Sequence, residues 1–275
     1  MQITPIILSN INQTPRQVFQ QKPRVFAPHF GADSFKKTEA EPLKFHRGAV
    51  IRGGEIFNRR TTMFFRDDIK WEEFRYYLRQ RFADYESVST QVYGCSSGEE
   101  PYSLAMTLCE EFGKDAQKFF PIAAKDVTLK EKKEFDAQRL LGAFHASLRG
   151  ARASKYFILK DCETAIFKDK IKEHVEFSRA NILEDLDSID SKRPSIIFCR
   201  NMWPYVDEKE YDEYAQKLFD RLQKGSIVVL GSYDFTDDIS IRDVIFAHSL
   251  LKSGFTPNSC CDTFPVELAK IYEKN

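Results

Sequence analysis

The chain has 275 residues, of which 42% are hydrophobic and 30% charged, and its 41 lysines and arginines balance its 41 aspartates and glutamates. These values are typical of a globular protein with a sizeable core, and zero net charge argues against nucleic acid or another bulk polyanion as a partner. No apolar run is long enough to span a bilayer, the six cysteines have no framework spacing, and the N-terminus lacks a secretory signal, so the sequence predicts a cytoplasmic protein with reduced thiols.

The first fifty residues form the first predicted segment and differ from the rest. Five of the eleven prolines fall among them, with little hydrophobic periodicity. Residues 1–50 are therefore predicted to be an irregular arm, and residues 51–275 a folded domain. Near the start of that domain, Asp67 or Asp68 is expected to cap a helix that runs to about Phe82.

Strands and helices alternate over the folded domain. Five short segments are predicted as strands: residues 89–94, 119–124, 175–179, 195–200 and 226–231. Uninterrupted apolar stretches in the last two are typical of parallel strands covered by helices on both faces. Capping-box patterns at residues 128–131 and 207–210 predict helix starts after the second and fourth strands.

Two further parts of the chain depart from this alternation. Residues 143–174 are too many for a simple loop, and strand patterns at 155–159 and 164–167 predict a small β insertion there. At the C-terminus, a helix over residues 240–251 is expected to precede a closing pair of strands within residues 255–272.

A glycine-rich turn follows the first predicted strand and opens a helix. Gly94 and Gly98 permit close approach of the backbone to a ligand, while Glu99 and Glu100 would repel a diphosphate and attract a cation. This pattern suggests S-adenosylmethionine, which carries a sulfonium, an ammonium and a ribose diol, and it disfavours a nicotinamide-dependent oxidoreductase. Ser97 and Glu100 also fit a capping box, so a purely structural interpretation stays open.

Polar residues follow the carboxyl ends of the other predicted strands, where ligands bind in parallel sheets. Asp126 comes after the second strand, where an acid can accept hydrogen bonds from a ribose diol; a turn or capping aspartate is the alternative. Asn181 follows the third strand, and the fourth ends at Arg200 and Asn201, with Tyr205 close behind. The five histidines are scattered, so no metal site is predicted.

Four blocks, in this order, resemble the chemotaxis-receptor methyltransferases of the CheR type. They are Thr62-Met63-Phe64-Phe65-Arg66, the glycine-rich turn with its two acids, the Val-Glu-Phe and Asn-Ile-Leu pair of residues 175–177 and 181–183, and Phe198-Cys199-Arg200-Asn201 followed by Tyr205. The resemblance implies a class I S-adenosylmethionine-dependent methyltransferase fold, which is Rossmann-like with a mostly parallel sheet. It also implies that the β insertion belongs to the fold, and that an irregular arm replaces the family's usual helical N-terminal domain.

The resemblance further implies which residues form the site. Arg66 near the methyl-transfer position and Tyr205 facing the acceptor are the catalytic candidates. Arg200 and Asn201 would line the pocket. The full set of cofactor-binding candidates is Thr62, Arg66, Gly94, Glu99, Glu100, Asp126, Asn181, Ile182, Arg200 and Asn201.

The resemblance assigns a different part of the cofactor to each group of candidate residues. Glu99 and Glu100 would hold the ammonium side, and Asp126 would bind the ribose. Asn181 and Ile182 would flank the adenine. After transfer the cofactor would leave as S-adenosylhomocysteine.

The implied acceptor is a glutamate side chain on a chemoreceptor-like helical protein, and the product is a methyl ester. The chain departs from the family at Lys125, where a small or hydroxyl residue is usual, and at Trp203 and Pro204, where two aliphatic residues are common. Two alternatives therefore stay open. One is a methyltransferase with a different acceptor, and the other is a catalytically silent scaffold or cofactor-sensing module.

Overall fold

The computed structural model describes residues 62–66, 69–129, 131–137, 151–231, 241–258, 260 and 270–275. The predicted arm of residues 1–50 lies outside these ranges, as do Asp67 and Asp68. None of the helices within the described ranges has both the length and the apolar character that crossing a bilayer requires.

The helices and strands alternate through most of the described chain. In order they are α1 (Trp71–Phe82), β1 (Ser89–Tyr93), α2 (Glu99–Phe112), β2 (Ile122–Asp126), β3 (Glu134–Asp136), α3 (Ala151–Tyr156), β4 (Phe157–Leu159), β5 (Thr164–Phe167), α4 (Asp169–Lys172), β6 (Val175–Arg179), β7 (Ser195–Phe198), α5 (Tyr211–Arg221), β8 (Ile227–Val229), α6 (Ile241–Lys252), β9 (Thr256–Asn258) and β10 (Ile271–Glu273). Short 3-10 helices precede β2 and follow β6 and β7.

Seven strands form one sheet in the order β6-β2-β1-β7-β8-β10-β9. The first five in this order are mutually parallel, and β10 runs antiparallel to both β8 and β9. In register, Tyr93 of β1 pairs with Lys125 of β2. The strand order reverses between β1 and β7, and in such sheets a ligand crevice opens outside the carboxyl ends of the strands at that point.

Helices cover both faces of this sheet. On one face Phe74 of α1 and Leu104 of α2 are fully buried together with Val92 of β1. On the other face Leu218 of α5 and Phe246 of α6 belong to a second buried cluster. This layering explains why the central strands are apolar on both sides.

The predicted strands are confirmed, with differences at their ends. β6 has the predicted bounds, while β2 begins at Ile122 instead of residue 119. The difference arises because Gly113–Phe119 is a 3-10 helix and Pro121 has no N–H for the ladder. The C-terminal helix and the closing strand pair are confirmed as α6, β9 and β10.

Helix starts were predicted less well than strands. Asp207 caps as expected, since its side chain accepts from the Lys209 N–H (3.1 Å) at the 3-10 turn that leads into α5. The predicted start of α1 at Asp67 or Asp68 is wrong, because the helix begins at Trp71 and its N-cap residue is Lys70, without a side-chain cap.

The helix predicted from residues 128–131 is also wrong, because the chain enters β3 instead. The Thr128 N–H donates to Asp126 Oδ1 (2.8 Å), which closes a turn at the end of β2. The Lys132 N–H donates to the Ser97 carbonyl (3.0 Å). These local bonds satisfy the backbone in a non-helical conformation.

The β insertion has three antiparallel strands in the order β3-β5-β4. The sequence missed β3, and the strand predicted over 155–159 is shorter because α3 extends to Tyr156. An aromatic cluster fills the insertion: Phe64 packs against Phe135, Phe157 and Phe167 with ring centroids 5.3, 5.7 and 5.8 Å apart. The segment of residues 62–66 is thereby anchored between the insertion and the main sheet.

Candidate active site

The glycine-rich turn leaves β1 beside the reversal in strand order. Gly94, Ser96 and Gly98 have positive φ values of 68°, 50° and 104°. A Cβ on Gly98 would lie 2.9 Å from Cζ of Phe177, so both conformation and space require glycine there. Gly98 is also the N-cap residue of α2, with no side-chain cap, so the alternative capping-box interpretation is wrong.

Glu99 and Glu100 are adjacent in sequence but have different partners. Glu99 is buried and accepts a hydrogen bond from the Ser97 hydroxyl (2.7 Å). Burial raises the pKa of its carboxyl, and the Ser97 hydrogen bond only partly offsets this. Glu100 Oε2 lies 3.1 Å from Nη1 of Arg200, whose side chain is fully buried. This ion pair joins the first turn of α2 to the end of β7, across the point where strand order reverses.

The loop after β7 is held by Asp243 of α6, which is 1% exposed. Its Oδ2 accepts from the backbone N–H groups of Asn201 (3.1 Å) and Gly231 (2.8 Å), which follow β7 and β8. Asn201 has a φ of 54°, a conformation that asparagine adopts more readily than most residues. Met202 lies 3.3 Å from the position of a Cβ on Gly94, so this loop faces the glycine-rich turn.

Tyr205 is presented to solvent from this same loop. It is 42% exposed and ends the short 3-10 helix that begins at Trp203. Trp203 is buried, donates its indole N–H to the Cys199 carbonyl (2.9 Å), and stacks on Phe246. The buried tryptophan thus fixes the loop to the fold, while the tyrosine is partly exposed at its surface.

Asp126 ends β2 and links three segments. Its Oδ2 accepts from the Ser96 N–H (2.9 Å), its Oδ1 from the Thr128 N–H (2.8 Å), and its carbonyl from the Ala180 N–H (3.1 Å). Oδ1 also accepts from the Thr128 hydroxyl (3.3 Å), whereas Oδ2 has a second lone pair that can accept a hydrogen bond from a ligand without breaking the bond from Ser96. The turn interpretation and the ribose interpretation of Asp126 are therefore compatible.

Asn181 and Ile182 begin the loop between β6 and β7. Asn181 is half-buried, and its Oδ1 accepts from the Leu183 N–H (3.2 Å). Ile182 is 3% exposed and belongs to the cluster beneath α5 and α6. Asn181 therefore lies nearer the surface at this edge, while Ile182 secures the loop.

Thr62 and Arg66 lie in the segment that precedes α1, and both are half-buried. The Phe65 N–H donates to Ser103 Oγ (2.9 Å), and the Ser103 hydroxyl donates to the Glu99 carbonyl (2.6 Å). The segment is thus held by its backbone against the first turns of α2, close to the glycine-rich turn.

Three residues to which the sequence assigned no role organise this edge. Ser103 lies in the glycine-rich block, so the sequence could have indicated its role. Asp243 looks like an ordinary acid in the first turn of a helix, and Met202 like a loop residue. Within the described ranges, no group of His, Cys, Asp and Glu side chains is arranged to hold a metal ion.

Gly231→Ala tests the contact between the ends of β7 and β8. A Cβ there would lie 2.5 Å from Oδ1 and 2.7 Å from the backbone N of Asn201, so the loop must move. We expect the free energy of unfolding to fall by about 2 kcal/mol and the affinity for S-adenosylhomocysteine to weaken, as measured by thermal melts and calorimetry. Gly113→Ala is the control: a Cβ there meets nothing within 4 Å, but the φ of 58° strains an alanine, so stability should fall while affinity stays unchanged. Wild-type affinity in Gly231→Ala would contradict a role for this loop in the site.

The family model described as "CheR methyltransferase, SAM binding domain" matches residues 60–242. Chemotaxis protein methyltransferase 2 of Vibrio cholerae is 29% identical over 147 residues, which are 53% of this chain and 51% of that protein. The chemotaxis protein methyltransferase of Borreliella burgdorferi is 32% identical over 144 residues, which are 50% of this chain and 49% of that protein. The chain spans about half the length of these curated relatives.

The architecture and the match agree with each other. The seven-stranded, mostly parallel sheet with helices on both faces is the class I, Rossmann-like methyltransferase fold, and S-adenosylmethionine is the cofactor that the matched family binds. The match extends from before Thr62 to beyond Tyr205 and so includes every predicted site residue. Because it spans well over half of the chain, this protein belongs to the CheR methyltransferase family.

Proposed function

We propose that this protein transfers a methyl group from S-adenosylmethionine to a glutamate side chain of a chemoreceptor-like helical protein, giving a methyl ester. The relatives' description as chemotaxis protein methyltransferases supports this acceptor. The observation that carries the proposal is the set of three carboxylates, Glu99, Glu100 and Asp126, around the glycine-rich turn at the reversal of strand order.

The donor set at this edge fits the cofactor. Asp126 Oδ2 has a second lone pair that can accept a hydrogen bond from a ribose diol beside the one from the Ser96 N–H. Asn181 and Ile182 would flank the adenine on the neighbouring loop. Gly94 gives the glycine-rich turn its path after β1, because its φ of 68° is a conformation that glycine adopts without strain. When bound, S-adenosylmethionine supplies a methyl group that its positive sulfur has already activated.

Glu100 matches the ammonium at the methionine end of the cofactor, because its carboxylate offers an anion there. Nη1 of Arg200 lies 3.1 Å from Glu100 Oε2, and the arginine side chain is fully buried. Arg200 would therefore hold the Glu100 carboxylate in place from the protein side without contacting the ligand.

The acceptor chemistry needs alignment more than proton transfer. A glutamate carboxyl has an ordinary pKa of about 4.3 and is therefore ionised at neutral pH, so no strong general base is required. Arg66 would hold one acceptor oxygen, and Tyr205 would orient the same group by hydrogen bonding. The protein's contribution is to align the nucleophile with the methyl group and to exclude water.

Two measurements test the proposal. Calorimetric titration with S-adenosylhomocysteine should give saturable heat, and tritium-labelled S-adenosylmethionine with a host lysate should label a protein. Label released by mild alkali would identify a carboxyl ester, whereas alkali-stable label would identify another acceptor. Absence of binding heat would favour the catalytically silent scaffold.

Tyr205→Phe is expected to slow methyl transfer about tenfold, because one hydrogen bond to a charged acceptor is lost. Stability and S-adenosylhomocysteine affinity should stay at wild-type values, since the side chain is 42% exposed. Initial rates with labelled cofactor provide the measurement. Tyr76→Phe, at a 61% exposed tyrosine of α1, is the matched control and should not change the rate. Loss of cofactor affinity in Tyr205→Phe would show that the residue has a different role.

A further inference from the structure

Lys125 is a buried lysine next to the proposed ribose-binding residue. It precedes Asp126 in β2, pairs in register with Tyr93 of β1, and is 7% exposed. Its side chain lies over the Tyr93 ring, with Nζ 5.3 Å from the centroid. A lysine is almost never buried unless its charge is paired, so its partners indicate what it does.

The ammonium of Lys125 has three acceptors for its three protons. Nζ donates to Asp185 Oδ2 (2.5 Å), to Ser188 Oγ (2.6 Å) and to Gln91 Oε1 (3.1 Å). Asp185 and Ser188 belong to the loop between β6 and β7, whereas Gln91 belongs to β1. The lysine therefore connects the two central strands to that loop.

Asp185 is the centre of the loop side of this network. Its Oδ2 also accepts from the Tyr93 hydroxyl (2.8 Å) and the Ser188 hydroxyl (2.6 Å). Burial alone would raise the pKa of this carboxyl, but the hydrogen bonds from Lys125, Ser188 and Tyr93 outweigh it and leave the pKa below its ordinary value. The carboxylate is thus held in its charged form against the lysine.

The loop fixed in this way carries the proposed adenine contacts. Asp185 follows Ile182 by three residues, and the turn between them is closed by the Glu184 N–H, which donates to the Asn181 carbonyl (3.0 Å). The loop start is also tied to β2, because the Ala180 N–H donates to the Asp126 carbonyl (3.1 Å). Movement of Asp185 would therefore be transmitted to the residues that meet the adenine.

We propose that Lys125 is a positioning residue for the adenosine half of the cofactor: through its ion pair with Asp185 it fixes the loop of residues 181–188 beside the ribose-binding edge of β2. The inference rests on the proposed cofactor site. A buried ion pair adds little net stability compared with apolar residues of similar size. Its effect is therefore expected on the position of the loop, and hence on adenosine recognition.

The test compares two ligands in calorimetric titrations of the full chain. S-adenosylhomocysteine is the complete product of the cofactor. The second ligand, 5′-deoxy-5′-methylthioadenosine, keeps the adenosine but lacks the amino-acid end. We expect Lys125→Met to raise the Kd of both ligands about tenfold and to the same extent. Lys118→Met is the matched control, because Lys118 is bonded to the carbonyls of Phe82 and Ala83 at the end of α1. It should leave both Kd values unchanged.

A double variant, Lys125→Met with Asp185→Asn, covers the case in which the single variant does not fold, because it leaves no unpaired charge. It should melt cooperatively and still bind both ligands about tenfold more weakly than wild type. Wild-type protein that fails to bind either ligand would contradict the proposed cofactor site itself. Wild-type binding that is unchanged in Lys125→Met or in the folded double variant would overturn the positioning role alone, as would a loss confined to S-adenosylhomocysteine.

Discussion

Glu100→Gln is expected to lower the free energy of unfolding by about 3 kcal/mol, a large effect for one isosteric substitution. The Arg200 side chain is fully buried and keeps its charge, and the change removes the carboxylate 3.1 Å from it. Breaking a buried ion pair from one side is strongly destabilising because the remaining charge loses a partner that replaced water. Urea unfolding followed by circular dichroism measures the change.

Three further variants, Glu73→Gln, Arg200→Met and the double variant of Glu100 and Arg200, show whether this effect belongs to the pair. Glu73→Gln removes the same charge from an exposed pair with Lys70 on α1 and should change stability by no more than about 0.5 kcal/mol. Glu100→Gln combined with Arg200→Met removes both buried charges and should be more stable than the sum of the single changes predicts. If the single effects simply add, the two side chains are not energetically coupled, and Arg200 does not hold Glu100 in place for the ammonium.

Most of the fold could be predicted from the sequence because its signals are local. Apolar runs with turn residues on either side indicate buried strands, and β7 and β8 appear where such runs occur. β1 and β6 also lie within segments predicted as strands. The errors have local causes too. Residues 128–131 resemble a capping box, but Asp126 is already bonded to the Thr128 N–H, and β3 pairs with a strand that lies thirty residues further along the chain. Short-range patterns contain no information about that partner.

The candidate site was predictable in its residue types but not in its contacts. The predicted strand ends and the family resemblance place Glu100, Asp126 and Arg200 at the same edge of the sheet, where the parallel strands end. The sequence does not indicate that Glu100 pairs with Arg200 one hundred residues away, because that contact depends on β7 lying beside β1. Nor does it indicate the partners of Lys125, since Asp185 lies in an irregular loop whose path is set by tertiary packing.

Asp126→Ala is expected to weaken S-adenosylhomocysteine binding by about 1.5–3 kcal/mol, because charge-assisted hydrogen bonds to the ribose would be lost. The same change removes the acceptor of the Ser96 and Thr128 N–H groups, so stability should fall as well. Calorimetry gives the affinity and thermal melts give the stability. Both must be measured, since a loosened glycine-rich turn alone can reduce binding.

Asp161 provides the control for losing a turn-forming carboxylate. Its carboxylate accepts from the backbone N–H groups of Glu163 (2.8 Å) and Thr164 (2.6 Å) in an exposed turn of the β insertion. Asp161→Ala therefore removes a comparable turn-forming carboxylate at a place remote from the sheet edge, and it should lower stability without changing affinity. If Asp126→Ala behaves in the same way, with wild-type affinity, then Asp126 is a turn residue only, and the ribose must be bound by other groups. If affinity falls in Asp126→Ala alone, loss of a turn-forming carboxylate is not by itself the cause. The effect then belongs to the end of β2, where Asp126 holds the Ser96 N–H of the glycine-rich turn and where its carboxylate is proposed to bind the ribose.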